Sequence, residues 1–207
     1  EVASRICVEK LAETGKLLQS CSSIKEIVAY LQSSVAEINA IVCEKSHNHG
    51  ELKGMGATLV LFVVCGADYA ILNIGDSRAY HFNNDALIQI TKDHTEGQRM
   101  LDLGLLTRKE LSGFPARKNL NRYIGYGQNG YVLQADEYYP ILDNGVMLLC
   151  SDGISDYLPD SRISEILHSA NNLESAGKQL INEAVASHNA DNATVMLIPL
   201  SPANKCQ

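Results

Sequence analysis

Three acidic residues stand where predicted strands begin or end. Asp76, Asp152 and Asp191 lie in the sequences Gly-Asp-Ser-Arg, Ser-Asp-Gly and Asp-Asn-Ala-Thr. Each sequence alone is typical of a turn, because such residues satisfy loop backbone groups. Asp152 differs, since it follows the wholly apolar run 146–150, and a carboxylate at the mouth of a buried strand needs a compensating charge. A bound cation would supply it.

A metal site of a particular kind would result if Asp152 and Asp191 converged. Carboxylate oxygens are hard ligands, which favour Mg²⁺ or Mn²⁺ over zinc or copper. Two adjacent ions would hold a bridging water, lower its pKa and present hydroxide to a phosphorus centre. The spacing in the chain leaves open whether the two carboxylates meet.

Two helices precede the first strand. Apolar residues predict a helix over 2–18, and apolar positions spaced by four and three residues predict a second over 24–42. Ser23 and Glu26 form a capping box at its start. The period then changes, and runs of strand length follow, separated by turn residues. They predict an antiparallel meander of four strands, at 57–65, 69–74, 79–82 and 87–90.

The second half repeats the change from strands to helices. A polar and helical region over about 95–122 interrupts the strands. After it we predict strands at 131–139 and 146–150, helices at 161–169 and 173–188, and a last strand at 192–200. This order lacks regular βα alternation. Strands such as 59–65 are apolar on both faces, which predicts an α+β fold: a four-layer α-β-β-α sandwich of two antiparallel sheets flanked by helix pairs. We expect one domain over 1–200 and a tail over 201–207.

Composition excludes several classes of protein. The 207 residues carry a net charge of −7 without a long basic run, which argues against binding to nucleic acid or to an anionic membrane. No apolar stretch is long enough to span a bilayer, and the N-terminus has no signal-peptide pattern. Six cysteines are spread singly, which argues against a zinc site and favours the reducing cytoplasm.

The motifs together resemble a known family, the metal-dependent protein phosphatases of PPM type, or protein phosphatase 2C. The resemblance covers essentially the whole chain. It rests on six segments in the family's order: Glu-Val-Ala-Ser at 1–4, Gly-Met-Gly-Ala-Thr at 54–58, Gly-Asp-Ser-Arg at 75–78, Thr-Lys-Asp-His at 91–94, Ser-Asp-Gly at 151–153 and Asp-Asn-Ala-Thr at 191–194. The Thr-x-Asp-His pattern is most similar to the compact bacterial branch, whose members often reverse serine/threonine kinases.

The resemblance implies metal ligands. Asp152 and Asp191 match carboxylates that hold the first ion of a binuclear Mg²⁺ or Mn²⁺ centre. Asp102 matches an acidic residue that would bind a third, weaker ion together with Asp152; an ordinary solvated helical Asp is an equal alternative. Asp76 and Arg78 match a motif that supports the sheet turn.

The resemblance also assigns parts to basic residues. His94 suggests a general acid, but a loop histidine that hydrogen-bonds the backbone is the favoured interpretation. Residues 104–122 match the mobile flap beside the family's active site. There Arg108, Arg117 and Arg122 would meet a phosphopeptide, and solvated surface arginines are the alternative for each of them.

The beginning of the chain departs from the pattern. Glu1 matches the last residue of an Asp-Gly-x-Gly-Gly-containing motif whose Asp bridges both metals, so we expect that Asp upstream of Glu1 in the gene product. A catalytically impaired remnant is the alternative, and without the bridging Asp we expect little activity.

The function implied is hydrolysis of phosphoserine and phosphothreonine in proteins by direct attack of a metal-activated water. The expected partners are phosphorylated proteins, namely a serine/threonine kinase and its substrates, and the expected state is a monomer. A non-catalytic pseudophosphatase that binds a partner is the main alternative. A regulatory phosphatase that acts on anti-sigma antagonists is a third.

Overall fold

A computed structural model describes residues 1–83, 86–127, 131–142, 144–187 and 191–200. The helices are α1 (Val2–Leu17), α2 (Ile24–Asn48), α3 (Glu96–Asp102), α4 (Arg108–Leu111), α5 (Asp152–Ser155), α6 (Asp160–Ser169) and α7 (Leu173–Ala186). The strands are β1 (Leu59–Cys65), β2 (Asp68–Ile74), β3 (Arg78–Asn83), β4 (Ala86–Gln89), β5 (Asp136–Tyr138), β6 (Gly145–Cys150) and β7 (Val195–Leu200). No described helix is both long and apolar enough to cross a bilayer.

The strands form two antiparallel sheets, with orders β1-β2-β5 and β4-β3-β6-β7. The predicted meander is therefore wrong at one point, because β2 and β3 lie in different sheets. The chain crosses between the sheets at Gly75, whose φ of 101° favours glycine. A Cβ there would lie 2.4 Å from Cγ2 of Thr58. The crossing leaves Asp76 at the junction of the two sheets.

Alternating side chains on the strands bury three apolar layers. Leu72 and Ile74 of β2 pack into a cluster with α1 and α2, whereas Ile71 packs between the sheets. In β6, Leu148 packs against α6 and α7, and Met147 faces the other sheet. Burial on both faces of each sheet gives the four-layer α-β-β-α sandwich, so the predicted fold class is confirmed.

Several element bounds differ from the prediction. The predicted strand over 131–139 is shortened to β5. At Ala135, directly before β5, the side chain of Gln32 on α2 takes the backbone hydrogen bonds that a neighbouring strand would make. The Gln32 Nε2 donates to the Ala135 carbonyl at 2.8 Å, and the Ala135 N–H donates to Gln32 Oε1 at 3.0 Å. The last strand begins at Val195. The end of the helix predicted to 188 and the tail 201–207 fall outside the described residues.

Candidate metal centre and cleft

The register of β6 and β7 positions Asp152 and Asp191. Cys150 pairs with Val195, and beyond this pair the Ser151 N–H donates to the Thr194 carbonyl at 3.1 Å. The loop after β6 thus runs beside the loop before β7. A Cβ at position 153 would lie 2.3 Å from the carbonyl oxygen of Asn192, so this close approach requires glycine.

The two acidic residues interact electrostatically. Burial raises the pKa of Asp152, and the negative charges of Asp191 and then Asp156 raise it further. Asp152 Oδ1 accepts the N–H of Gly153 at 2.9 Å, and Asp191 Oδ1 accepts the N–H of Asn192 at 2.7 Å. The structure therefore brings together the residues that the sequence singled out. Their role as metal ligands stays a prediction.

Asp76 belongs to the same group of carboxylates, although the sequence analysis gave it only a structural role. Burial and then the charge of Asp152 raise its pKa to about 6. The placement follows from the sheet register, because Arg78 of β3 pairs with Cys150 of β6. A correct pairing of these strands would have put Asp76 beside the Asp152 loop.

Asp76 and Asp152 line a cleft of about 380 Å³ between the end of the sandwich and residues of α3, α4 and the turn that follows, whereas Asp191 is not among its lining residues. Five of its described lining residues are acidic and four are basic. The charged residues are Asp76, Asp93, Asp152, Asp156, Asp160, Arg78, Arg108, Arg117 and Lys118. The cleft is therefore rich in both kinds of charge, with the acidic residues on the sandwich.

Asp102 lies elsewhere. Its carboxylate is exposed at the end of α3, where it accepts from Lys92 Nζ at 2.8 Å and from Gln98 Nε2 at 2.9 Å. The hydrogen bond from Lys92 lowers its pKa. Asp102 is not among the residues that line the cleft. The structure does not bring it together with Asp152 and favours the alternative of a solvated helical residue; a metal at Asp102 stays an untested prediction.

Arg78 has the structural role that the sequence analysis gave it. Its Nε and Nη2 donate to the Asp93 carboxylate at 2.9 and 2.6 Å, and its Nη1 donates to the Tyr80 hydroxyl at 2.9 Å. The side chains of Arg78 and Asp93 are only 20% and 14% exposed. This pair ties β3 to the loop that precedes α3.

His94 hydrogen-bonds the backbone, as the favoured interpretation predicted. It is 7% exposed, and its Nδ1 accepts the Gly75 N–H at 2.9 Å while its Nε2 lies 2.9 Å from Asp136 Oδ2. Arg122 also contacts the His94 ring and pairs with Asp136 at 2.5 Å. None of these three residues lines the cleft. His94 and Arg122 therefore secure the sheet crossing rather than face a substrate.

The His94 network makes stability sensitive to mild acid. Burial lowers the pKa of His94; the Asp136 hydrogen bond opposes this, Arg122 adds to it and Asp93 opposes it weakly. Below the ordinary value of 6.5 the unfolded chain binds a proton that native His94 does not. We expect the free energy of unfolding to fall from pH 7.5 to 5.5, by up to about 1.4 kcal/mol per pH unit.

Urea unfolding at both pH values measures this change. In His94→Asn, whose side chain does not titrate, the fall between pH 7.5 and 5.5 should be smaller than in the wild type. An equal fall in both proteins would assign the effect to other groups.

The donor chemistry of the cleft fits Mg²⁺ or Mn²⁺. The carboxylates of Asp76, Asp152 and Asp191 are oxygen donors, and their mutual repulsion favours a bound cation. Within the described ranges, no group of three or more acidic, histidine or cysteine side chains is close enough to hold an ion unaided. These residues therefore supply part of a ligand set, which water or further ligands would complete.

Comparison with known proteins agrees with the geometry. The family model for protein phosphatase 2C matches residues 1–187. The serine/threonine phosphatase Stp of Listeria monocytogenes is 31% identical over 198 residues, which cover 96% of this chain and 78% of that protein. PstP of Mycobacterium tuberculosis, a serine/threonine protein phosphatase, is 32% identical over 203 residues, which cover 95% of this chain and 37% of that protein.

Solved structures extend the comparison to the fold. A crystal structure of Mycobacterium tuberculosis PstP gives a TM-score of 0.84 at 30% identity, over 97% of this chain and 82% of that chain. A PstP catalytic domain in complex with two manganese ions gives 0.77 at 30% identity, over 95% and 80%. Sequence, fold and the acidic cleft agree: the chain belongs to the protein phosphatase 2C family of metal-dependent serine/threonine phosphatases.

Proposed function

We propose that this protein removes phosphate from phosphoserine and phosphothreonine in proteins at the cleft beside Asp152 and Asp191. The contact between the loops that carry these two residues, through Ser151 and Thr194 and through Gly153 and Asn192, is the observation that carries the proposal. When bound, Mg²⁺ or Mn²⁺ supplies Lewis acidity at the phosphoryl group and lowers the pKa of water. Asp152 and Asp191 would hold the ion and offset its charge, and Asp76 adds negative charge beside Asp152.

Water is the nucleophile in this proposal. The described residues that line the cleft include no cysteine or histidine. Two residue types that form covalent intermediates are therefore absent from the described lining, and the aspartates are assigned to the cation in this proposal. The Ser151 Oγ accepts the Thr194 N–H at 3.1 Å, which holds the two loops that carry Asp152 and Asp191 in place.

The cellular setting is also a proposal. We propose that the protein acts as a monomer in the cytoplasm, opposite a serine/threonine kinase and on the proteins which that kinase phosphorylates. Free thiols at Cys7, Cys21, Cys43, Cys65 and Cys150 support a reducing compartment. The match of the family model to residues 1–187 supports a single domain over 1–200.

Metal-dependent turnover tests the function. The full-length gene product, which we expect to include the bridging Asp, should release phosphate from a phosphothreonine peptide and from p-nitrophenyl phosphate with Mn²⁺ or Mg²⁺, and EDTA should abolish the release. Turnover that persists in EDTA would contradict the mechanism. Phosphopeptide binding without turnover at saturating Mn²⁺ would instead support the non-catalytic alternative.

A further inference from the structure

The basic residues of the cleft differ in whether they form ion pairs within the protein. Arg78 is held by Asp93, and Lys118 Nζ lies 2.5 Å from Asp156 Oδ2. Arg108 and Arg117 also line the cleft, yet within the described ranges their guanidinium groups form no ion pair or hydrogen bond. Two exposed guanidinium groups therefore line the cleft, and their N–H donors have no partner among the described residues.

The segment 104–122 that carries them is basic in an acidic protein. It contains five basic residues and one acidic residue, whereas the whole chain has a net charge of −7. The opposite wall of the cleft carries the carboxylates of Asp76 and Asp152. An anionic peptide would be repelled by that wall and attracted by this segment, so the segment is placed to decide between peptides of different charge.

The backbone beneath both arginines is fixed. The Gly97 N–H donates to the Arg117 carbonyl at 3.2 Å, and a Cβ at position 97 would lie 2.6 Å from that oxygen. Arg108 is the first residue of α4, behind a capping box formed by Thr107 and Glu110. The planar guanidinium of arginine is pre-organised, so little freedom is lost for each hydrogen bond that it makes to a carboxylate.

We propose that Arg108 and Arg117 select substrates that carry acidic residues next to the phosphorylated serine or threonine. This inference rests on the proposed function, which draws the phosphoryl group to the Asp152 side of the cleft. Residues adjacent to the phosphorylated one then pass the 104–122 wall, where each arginine pairs with a carboxylate. Arginine suits this contact because its planar fork matches a carboxylate.

Peptide binding without turnover tests the selection. Two labelled nonapeptides contain phosphothreonine flanked on both sides by Glu or by Gln, and fluorescence anisotropy at saturating Mn²⁺ measures the dissociation constants of their non-hydrolysable phosphonate analogues. The wild type should bind the Glu peptide about fivefold more tightly at low salt, the size expected of two exposed ion pairs. The preference should shrink as salt is added.

Variants assign the preference to residues. The double variant Arg108→Gln/Arg117→Gln should bind the two peptides within about twofold of each other. Lys109→Gln, the matched control, removes a neighbouring exposed cation that does not line the cleft and should keep the full preference. Because Arg108 and Arg117 are exposed, these substitutions should leave the circular dichroism spectrum unchanged.

Two results would overturn the inference. One is equal binding of both peptides by the wild type. The other is equal weakening of both peptides in the double variant, which would mean that the arginines bind the phosphate itself. The proposed function fails separately, because a protein that prefers the Glu peptide yet hydrolyses neither peptide with Mn²⁺ would contradict hydrolysis and keep the selection.

Discussion

Asp152→Asn is expected to reduce turnover of p-nitrophenyl phosphate with Mn²⁺ at least about 100-fold. The substitution keeps the shape of the side chain but removes a charge that would offset the cation. It also removes the repulsion of Asp152 with its acidic neighbours. The charges of Asp191 and Asp156 raise the pKa of Asp152, and the charge of Asp152 raises the pKa of Asp76. Thermal unfolding in EDTA should therefore show a variant at least as stable as the wild type.

Asp102→Asn is the matched control, since it makes the same chemical change outside the cleft. It removes the exposed pair with Lys92 and should reduce turnover far less than Asp152→Asn. Equal losses in the two variants would show that Asp102 acts with Asp152 despite its position. Unaltered turnover in Asp152→Asn would remove that residue from the metal site.

Arg78→Gln is expected to lower the free energy of unfolding by about 3 kcal/mol, because it leaves the Asp93 carboxylate buried without its cation. It also removes the donor to the Tyr80 hydroxyl. The loss should loosen the start of β3 next to Asp76. Urea denaturation at pH 7.5 measures the change.

Arg162→Gln provides the comparison for that loss. Arg162 also makes a two-point contact, with Glu183 at 2.8 and 2.7 Å, but it lies on the surface and solvent screens the pair. Its substitution should destabilise the protein much less. If both variants lost the same stability, burial would not explain the role of Arg78.

The sequence was most informative where periodicity alone determines an element. The apolar spacing from Ile24 to Val42 predicted α2, and Ser23 caps that helix by accepting the Glu26 N–H at 3.3 Å. The predicted capping box is only half formed, because the Glu26 carboxylate accepts the N–H of Ser22 and not that of Ser23. The apolar run 59–65 predicted a strand that is apolar on both faces, and hence two sheets, and the structure has β1 over these residues. Each of these inferences depends on local pattern, so tertiary contacts did not alter it.

The sequence was least informative where two distant segments decide the outcome. A Gly-Asp-Ser turn is compatible with a chain that reverses within one sheet and with a chain that crosses to another sheet. The preceding strand does not distinguish the two, because Ile71 and Leu72 would be buried in either case. The contribution of Asp76 to the cleft depends on the β3–β6 register, which no local pattern contains. The two interpretations of Asp102 stayed open in the sequence because a seven-residue helix does not reveal which of its faces meets the cleft.

The contact of Gln32 with Ala135 lies beside an edge of the three-stranded sheet. β5 ends the three-stranded sheet, and a free sheet edge is a template for pairing with another chain. One amide side chain supplies a donor and an acceptor to Ala135, the same pair of bonds that an added strand would make. Gln32 Nε2 also donates to Glu137 at 2.7 Å, which holds a negative charge at that edge. The second helix thus satisfies the backbone of the residue before β5 as well as burying a face of the sheet.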